Sequence, residues 1–163
     1  EYYIRFENGG RVAVPLKKVG ATNKHGTLVR FMPDPDIFKS INFSYTTITE
    51  RMQESAFLIK GLTGEVIDIP DKKEVKYRYD DGLVAFVEMI NDNKKPLHKV
   101  FTFSGSKNNI EVDIAFQYTD SYNESIVSFV NNVKTTDGGS HEVGFKTAFT
   151  KVFNEYAKNN GFF

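Results

Sequence analysis

The sequence predicts an α+β fold, in which antiparallel β-hairpins are interrupted by single helices. Hydrophobic residues alternate with polar ones in several short segments, as in half-buried strands. Two pairs of those segments are joined by residues suited to tight turns, Asn8-Gly9-Gly10 and Asn108-Asn109. Three other segments place hydrophobic residues at helical spacing, which is typical of helices with one buried face.

The composition limits the classes of function. With 163 residues, 40% of them hydrophobic, the chain can form one good core or two small ones. Its 21 basic and 21 acidic residues give no net charge, so any DNA contact must rely on a local patch. The absence of cysteine excludes disulfides and thiolate metal sites and fits a reducing cytosol. No apolar segment approaches the roughly 20 residues of a membrane helix. Because the chain begins within a strand pattern, we expect Glu1 to lie inside a longer protein.

The chain opens with a predicted hairpin and a third strand. Tyr2–Phe6 and Val12–Leu16 alternate hydrophobic and polar residues on either side of the glycine turn. Range 26–34, "GTLVRFMPD", has the same character, and Pro33 and Pro35 end it.

A helix and a second hairpin follow. Thr47–Glu50 has capping-box spacing, and Gly61 can end the helix. One face of this helix collects Ile48, Met52, Ala56 and Ile59. The segments "EVIDI" and "EVKYRY" then form a hairpin around the turn at 70–73.

The turn at Asp80-Asp81-Gly82 precedes a second helix and divides the chain into two predicted units, 1–80 and 81–163. Ile110–Tyr118 is the clearest strand, and it pairs with "VFTFSG" across Asn108-Asn109. "SIVSFVNNV" is predicted to be a further strand.

The last helix has the strongest hydrophobic pattern. Its apolar residues recur at i, i+3, i+4, i+7, i+8 and i+11: Phe145, Ala148, Phe149, Val152, Phe153 and Tyr156. Asn160-Gly161 ends it. Ser140 stands where an N-cap belongs, and Glu142 suits the helix dipole.

The stretch "DGGSHE" before that helix admits a catalytic interpretation and a structural one. Ser140 and His141 are a candidate nucleophile and base, and Gly138-Gly139 is a candidate phosphate loop. However, no nucleophile-elbow pattern surrounds the serine, and the glycines lack the lysine or threonine-serine ending of a phosphate loop. Capping by Ser140 is the favoured interpretation.

Other candidate sites also have simpler explanations. The three histidines lie far apart, at His25, His98 and His141, without the i, i+4 spacing of metal ligands. Asp34 and Asp36 flank Pro35, which favours a surface turn over an acid–base pair. Three lysines occupy the polar side of the last helix: Lys146, Lys151 and Lys158. They favour a solvated face, and a DNA-binding patch remains the alternative.

Three blocks of sequence nevertheless point to a family. They are "HGTLVRFMPDPDIF", "RMQESAFLIKGL" and "IEVDIAFQYTDSYNESIVSFVNNVKTTDGGSHEVGFKTAFTKVFNEYAKNNG". In this order they resemble the B subunit of bacterial type IIA topoisomerases. Both DNA gyrase and topoisomerase IV carry such a subunit, and "HEVGFKTAFTKVFN" with "AFQYTDSYNESI" is more similar to the topoisomerase IV paralogue.

The resemblance implies two domains. Residues 1–80 would be the C-terminal part of a GHKL-type ATPase domain, and residues 81–163 the N-terminal part of a transducer domain with a ribosomal-protein-S5-like fold. In this family ATP dimerises two B subunits and closes a gate on a DNA segment. The implied function is ATP-dependent strand passage, which relaxes and decatenates DNA, in the bacterial cytoplasm at the nucleoid. The implied partners are DNA, the topoisomerase IV A subunit and a second B subunit.

The resemblance also implies site residues. Gly26-Thr27 matches the family's Gly-Thr at the adenine pocket, where Thr27 would bond toward the adenine edge and Val29 would line the same face. Candidate contacts to DNA in the cavity are Lys134 and Lys146, whereas Thr136 stands where many relatives carry a basic residue. The implied ATP and Mg²⁺ belong to the full-length subunit, and no catalytic residue or metal ligand is predicted within this chain.

Two alternatives remain open at this level. One is the gyrase B subunit, which would act in negative supercoiling. The other is a non-enzymatic S5-like module for nucleic-acid binding or oligomerisation.

Overall fold

The computed structural model describes residues 1–162 and confirms the predicted α+β class. Within these residues every sheet is a two-stranded antiparallel hairpin of consecutive strands. The elements in chain order are β1 (Tyr2–Glu7), β2 (Arg11–Lys18), α1 (Tyr45–Leu58), β3 (Thr63–Asp68), β4 (Lys73–Arg78), α2 (Leu83–Ile90), β5 (Phe101–Lys107), β6 (Ile110–Phe116), β7 (Phe129–Val130), β8 (Val133–Lys134) and α3 (Ser140–Asn159). The chain forms two compact units, Glu1–Tyr45 and a second that begins at Thr46.

The first unit contains the predicted hairpin of β1 and β2. Asn8, Gly9 and Gly10 have φ values of 48°, 73° and 104° in the turn. Positive φ is accessible to glycine and tolerated by asparagine, which explains why these residues stand between the strands.

The predicted third strand is wrong, because residues 26–34 have no regular secondary structure. A strand needs a neighbour that satisfies its backbone N–H and C=O groups. Among residues 1–162 no strand pairs with this segment. Phe31 of this segment contacts Phe43 edge to face, with ring centroids 5.2 Å apart. The alternation of residue types therefore identifies residues that can share a face, but not the partner that would make them a strand.

Helix α1 begins earlier than predicted. It starts at Tyr45, so Thr47 lies in the first helical turn, and the predicted capping box at Thr47–Glu50 is wrong. The hydroxyl of Thr49 donates to the carbonyl of Thr46 at 2.9 Å. Because threonine can bond a carbonyl three or four residues back inside a helix, its presence does not require a helix start. The end of the helix agrees with the prediction, since Gly61 follows Leu58 with a φ of 82°.

The core of the second unit is small and aromatic. Ala56, Phe57 and Phe86 are buried. The ring of Phe57 stacks on Tyr79 with centroids 3.7 Å apart and on Phe86 with centroids 5.1 Å apart. Phe86 also contacts Phe129, at 5.9 Å. This aromatic stack (Tyr79, Phe57, Phe86 and Phe129) joins α1, the residue that follows β4, α2 and β7.

The stack crosses the predicted domain join at 80–82. Phe57 precedes that join and Phe86 follows it, yet their rings are in contact within one compact unit. The compact units divide between Tyr45 and Thr46 instead. The assignment of 1–80 and 81–163 to two family domains stays a prediction.

The hairpin of β5 and β6 confirms its predicted pairing and turn. The register runs from Phe101 opposite Phe116 to Lys107 opposite Ile110. Asn108 and Asn109 between them have φ values of 53° and 62°, as the tightest hairpin turns require.

Side-chain amides connect this hairpin to α2. Asn91 donates from Nδ2 to Oε1 of Gln117 at 3.1 Å, and Gln117 donates from Nε2 to the carbonyl of His98 at 2.8 Å. The two bonds tie the end of α2 to the residues on both sides of the hairpin.

Residues 125–133 do not form the single strand that was predicted. They contain the short strand β7, which turns through Asn131 and Asn132 (φ 49° and 64°) into β8. The second asparagine pair thus makes a tight turn like the first one. Because a short hydrophobic run shows no clear period, the pattern "SIVSFVNNV" does not reveal that the chain reverses within it.

Helix α3 starts one residue earlier than predicted, because Ser140 was expected to be its N-cap. Gly139 is the N-cap and Ser140 the first helical residue, and no side chain caps the amides. The predicted capping by Ser140 is therefore wrong. The backbone carbonyl of Gly139 accepts from the amides of Glu142 and Val143, both at 3.1 Å. Glycine is also favourable at the N-cap, so the serine that follows it need not be the capping residue.

The end of α3 follows the prediction, but most of its apolar stripe is exposed, with Val152, Phe153 and Tyr156 at 61%, 47% and 60%. Gly161 has a φ of 69°, and Phe162 and Gly161 donate to the carbonyls of Ala157 and Lys158 at 2.9 and 3.3 Å. This is a Schellman end. Phe149 contacts Phe116 of β6 at 5.2 Å, although no α3 residue is buried within residues 1–162. No helix in this described part of the chain is both long and apolar enough to cross a membrane.

The aromatic stack should control the stability of the second unit. We expect Phe57→Ala to lower the free energy of unfolding by about 3–5 kcal/mol, because it removes a buried ring between two others. Tyr122→Ala is the matched control, since that ring is fully exposed, and we expect a change within about 0.5 kcal/mol. Chemical denaturation of both variants tests this. Equal effects would show that the stack is not the core of the unit.

Candidate functional site

The residues predicted for the adenine pocket lie in the irregular segment of the first unit. Thr27 and Val29 are both exposed, Val29 to 77%. A cavity of about 450 Å³ lies nearby in the same unit, but neither residue lines it. Its walls are the turn at 8–10 and side chains of the 31–43 segment, including Phe31, Met32, Ile37, Phe38 and Phe43. The residues described in the first unit therefore do not bring Thr27 and Val29 together in a pocket.

The segment after them contains the predicted acidic turn. The carbonyl of Asp34 accepts from the amides of Ile37 and Phe38 at 3.1 and 2.9 Å. Its carboxylate accepts from the amide of Asp36 at 3.0 Å, which is an Asx turn. The interpretation of Asp34 and Asp36 as turn residues is confirmed.

A group of polar side chains connects β7 and β8 to the start of α3. Oγ of Ser128 lies 2.6 Å from Oγ1 of Thr135 and 3.2 Å from Oε2 of Glu142. Oγ1 of Thr135 also lies 3.1 Å from Nε2 of His141. The four residues form a hydroxyl network, partly buried at Ser128 and Thr135.

The two hydroxyls of the network have different acceptors. An ionised carboxylate only accepts hydrogen bonds, so Oγ of Ser128 donates to Glu142. Oγ1 of Thr135 donates to the backbone carbonyl of Ser128 at 3.0 Å. Among residues 1–162, the side-chain hydrogen bond of the His141 ring is to Thr135 and not to the adjacent Ser140. The arrangement therefore ties the start of α3 to the β7–β8 hairpin and does not form a nucleophile–base pair.

The first DNA-cavity candidate, Lys134, is engaged in an ion pair. Its Nζ lies 3.1 Å from Oε1 of Glu54, which is 80 residues away in α1. The other carboxylate oxygen of Glu54 accepts from Arg51 at 2.6 Å. Partial burial acts to raise the pKa of Glu54, but the hydrogen bonds from Lys134 and Arg51 outweigh it and the pKa is lowered overall. Glu54 is therefore a shared anion for two cations.

The second candidate, Lys146, contacts two carboxylates. Its Nζ lies 2.9 Å from Glu124 and 3.4 Å from Glu142. The hydrogen bond to Glu124 raises the pKa of Lys146, loss of hydration opposes this, and the bond to Glu142 adds to it. Because Glu142 also belongs to the hydroxyl network, this lysine is connected to Thr135 and hence to the end of β8, where Lys134 lies.

The surface around the network is electrically balanced. Three cations (Arg51, Lys134 and Lys146) face three carboxylates (Glu54, Glu124 and Glu142). Such a surface attracts a polyanion only where a lysine exchanges its carboxylate for a phosphate. Among residues 1–162, no three histidine, aspartate or glutamate side chains converge in a way that could hold a metal ion.

Sequence reasoning missed five members of this site: Arg51, Glu54, Glu124, Ser128 and Thr135. A helix-face glutamate is normally solvated, and nothing local connects Glu54 to a lysine 80 residues later. Ser128 and Thr135 are seven residues apart on either side of the turn at Asn131-Asn132. Had the asparagine pair been interpreted as a hairpin turn, it would have placed these two hydroxyls opposite each other.

Two substitutions test whether the hydroxyl network, and not a cap by Ser140, stabilises the start of α3. We expect Thr135→Val to lower the free energy of unfolding by about 1–3 kcal/mol, because the backbone carbonyl of Ser128 and the ring of His141 each lose a hydrogen bond to its hydroxyl. Ser140→Ala should change it by no more than about 0.5 kcal/mol, since no cap is lost. Thermal melts of both variants provide the measurement. A cost of about 1 kcal/mol or more for Ser140→Ala would restore the capping assignment.

The chain is similar to known topoisomerase proteins over nearly its whole length. It is 54% identical over 160 residues to the DNA topoisomerase 4 B subunit of Staphylococcus epidermidis, covering 96% of this chain and 24% of that protein. The figures for the Staphylococcus aureus protein are the same. The chain thus spans about a quarter of the length of the curated relatives it matches.

Solved structures share the fold. The 43K ATPase domain of Thermus thermophilus gyrase B, in complex with an aminocoumarin, superposes with a TM-score of 0.81 at 31% identity, over 99% of this chain and 45% of that one. The B subunit of Myxococcus xanthus DNA gyrase gives a TM-score of 0.71 at 21% identity, over 95% and 44%. The DNA gyrase B family model matches residues 82–163, just over half of the chain. These matches confirm the resemblance, and the chain belongs to the DNA gyrase B family of type IIA topoisomerase B subunits.

Proposed function

We propose that this chain works as part of the B subunit of DNA topoisomerase IV. The subunit would couple ATP binding and hydrolysis to the passage of one DNA segment through a break held by A subunits, thereby relaxing and decatenating DNA. The observation that carries the proposal is the 54% identity over 160 residues with the topoisomerase 4 B subunits of two staphylococci. The identity to the Thermus gyrase B structure is lower, at 31%.

The proposed contribution to the nucleotide site is Thr27 and Val29. Alternate residues of a strand face the same side, so a neighbouring strand paired with residues 26–34 would direct both toward one ligand. The Thr27 hydroxyl would then bond the adenine edge, and Val29 would cover the ring. The described residues do not fit a Mg²⁺ site, because no suitable group of acidic side chains or histidines converges. We assign no catalytic residue to this chain.

The aromatic stack supports the proposed coupling of ATP to movement. Its Phe57 lies in α1, within the part assigned to the ATPase domain, and Phe86 and Phe129 lie in the part assigned to the transducer. Buried rings in contact move together, because separating them exposes apolar surface. A displacement of α1 on ATP binding would therefore be transmitted to α2 and to the β7–β8 hairpin.

The proposed DNA contacts are Lys134 and Lys146. Both are lysines with exposed side-chain area, 41% and 44%, beside the hydroxyl network. The proposed protein partners are the A subunit and a second B subunit that dimerises when ATP binds. The proposed location is the bacterial cytoplasm, at the nucleoid.

The function is tested with the full-length protein and its A subunit on interlinked DNA circles. We expect ATP-dependent unlinking and relaxation without net negative supercoiling. Negative supercoiling of relaxed circles would show a gyrase instead. Failure of the folded complex to change DNA topology with ATP would favour a non-enzymatic S5-like module.

The adenine contact is tested by Thr27→Ala in the full-length protein. One hydrogen bond to a neutral partner contributes about 0.5–1.5 kcal/mol, so we expect roughly two- to tenfold weaker binding of a non-hydrolysable ATP analogue. Calorimetric titration measures it. Thr22→Ala is the control, because Oγ1 of Thr22 accepts a hydrogen bond from the amide of Lys24, two residues away, at 3.0 Å. Equal affinities for wild type and Thr27→Ala would remove Thr27 from the site.

A further inference from the structure

The ion pair of Glu54 and Lys134 joins two parts of the chain that are far apart in sequence. Glu54 lies in α1 and Lys134 at the end of β8. Their charged atoms are 3.1 Å apart, and the exposed fractions of their side chains are 18% and 41%. The glutamate is thus the more enclosed partner, while the lysine reaches it from the surface. A second anion can approach Lys134 from the solvent side.

Glu54 keeps a cation when Lys134 leaves. Its two oxygens serve different partners, Oε1 for Lys134 and Oε2 for Arg51 at 2.6 Å. Removing one partner of a pair is costly when it leaves a charge uncompensated. Here Arg51 continues to compensate the carboxylate, so the release of Lys134 is a modest cost. Exposed pairs of this kind contribute little net stability.

Lys146 is held more firmly. It faces Glu124 and Glu142 together, at 2.9 and 3.4 Å, and the pKa of its ammonium group is raised by them. A phosphate that captured Lys146 would leave both carboxylates without this cation. Of the two lysines, Lys134 is the one that a polyanion can take from its protein partner at lower cost.

We propose that Lys134 contacts the phosphate backbone of DNA and that Glu54 is its internal competitor. The proposal rests on the proposed function, since it takes DNA as the polyanion. In the absence of DNA, Lys134 bridges β8 to α1 through Glu54. A phosphodiester that accepts a hydrogen bond from Nζ weakens this bridge, and Arg51 stays with Glu54. Because the two anions share the single positive charge of Lys134, DNA binding and the α1–β8 bridge each weaken the other by the same factor.

The competition predicts that substitutions of Glu54 and of Lys134 have opposite effects on DNA affinity. Glu54→Gln removes the competitor and leaves the lysine, so Lys134 should engage DNA at roughly two- to fivefold lower concentration, given the usual strength of exposed pairs. Lys134→Gln breaks the same pair but removes the phosphate contact. It should weaken DNA binding and reduce the slope of log affinity against log salt by about one.

A site-specific readout is needed, because other regions of a full-length subunit also contact DNA. The full-length protein is titrated with duplex DNA, briefly acetylated at lysines and analysed by mass spectrometry. In the wild type, Lys134 should be protected at lower DNA concentration than Lys146. The half-protection point is the DNA concentration at which acetylation of Lys134 falls by half. Glu54→Gln should lower this concentration. Glu155→Gln, which neutralises the exposed partner of Lys151 at 3.8 Å, is the control for net charge and should leave that point unchanged.

Several outcomes would overturn the proposal. They are a Lys134 that DNA does not protect, a Glu54→Gln protein with an unshifted or higher half-protection point, and an equal shift in Glu155→Gln. If Glu54→Gln does not fold, as judged by its thermal melt, an unchanged salt slope in Lys134→Gln overturns it alone. If one of these results is obtained while the wild-type protein still decatenates DNA, the competition is refuted and the proposed function stands.

Discussion

The stacking of Phe57 between Tyr79 and Phe86 is the contact on which the second unit depends. Few residues of this unit are buried, and two of them are rings of this stack. A core of this size gains its stability from a few large apolar surfaces, so each ring matters more than one residue in a large interior. The stack also fixes the positions of α1 and α2, and through Phe129 it fixes the hairpin that holds Lys134. The arrangement of charges on the surface is a consequence of this small interior.

Those charges are arranged to cancel. The chain has no net charge, and each lysine of the candidate site is already paired with a carboxylate. A protein that must hold and then release a moving polyanion gains from such a surface, because strong permanent attraction would slow release. Affinity then comes from exchange of partners instead of from an excess of positive charge. The proposed DNA contacts are therefore compatible with a chain that has no net charge.

Local features of the fold were predictable, and features that depend on distant partners were not. Asn108-Asn109 specifies a hairpin turn within a few residues, and the structure contains it. Residues 26–34 have the composition of a strand, but strand formation requires a neighbour that the local sequence does not identify. At the site, the family resemblance singled out Lys134, whereas its partner Glu54 is 80 residues away. Spacing within a segment gives no information on such a pair, so only the folded chain could reveal it.

The pairing of strands has a consequence for how this chain behaves by itself. Within residues 1–162 every sheet has two strands, so each strand has one side with no neighbouring strand. The backbone groups on that side must bond to water or to a strand from elsewhere. Strand addition would be the natural way for further polypeptide to extend these sheets, and also the route by which separate copies would associate at high concentration. Work with this stretch of sequence alone should therefore include a check for self-association before any binding measurement is interpreted.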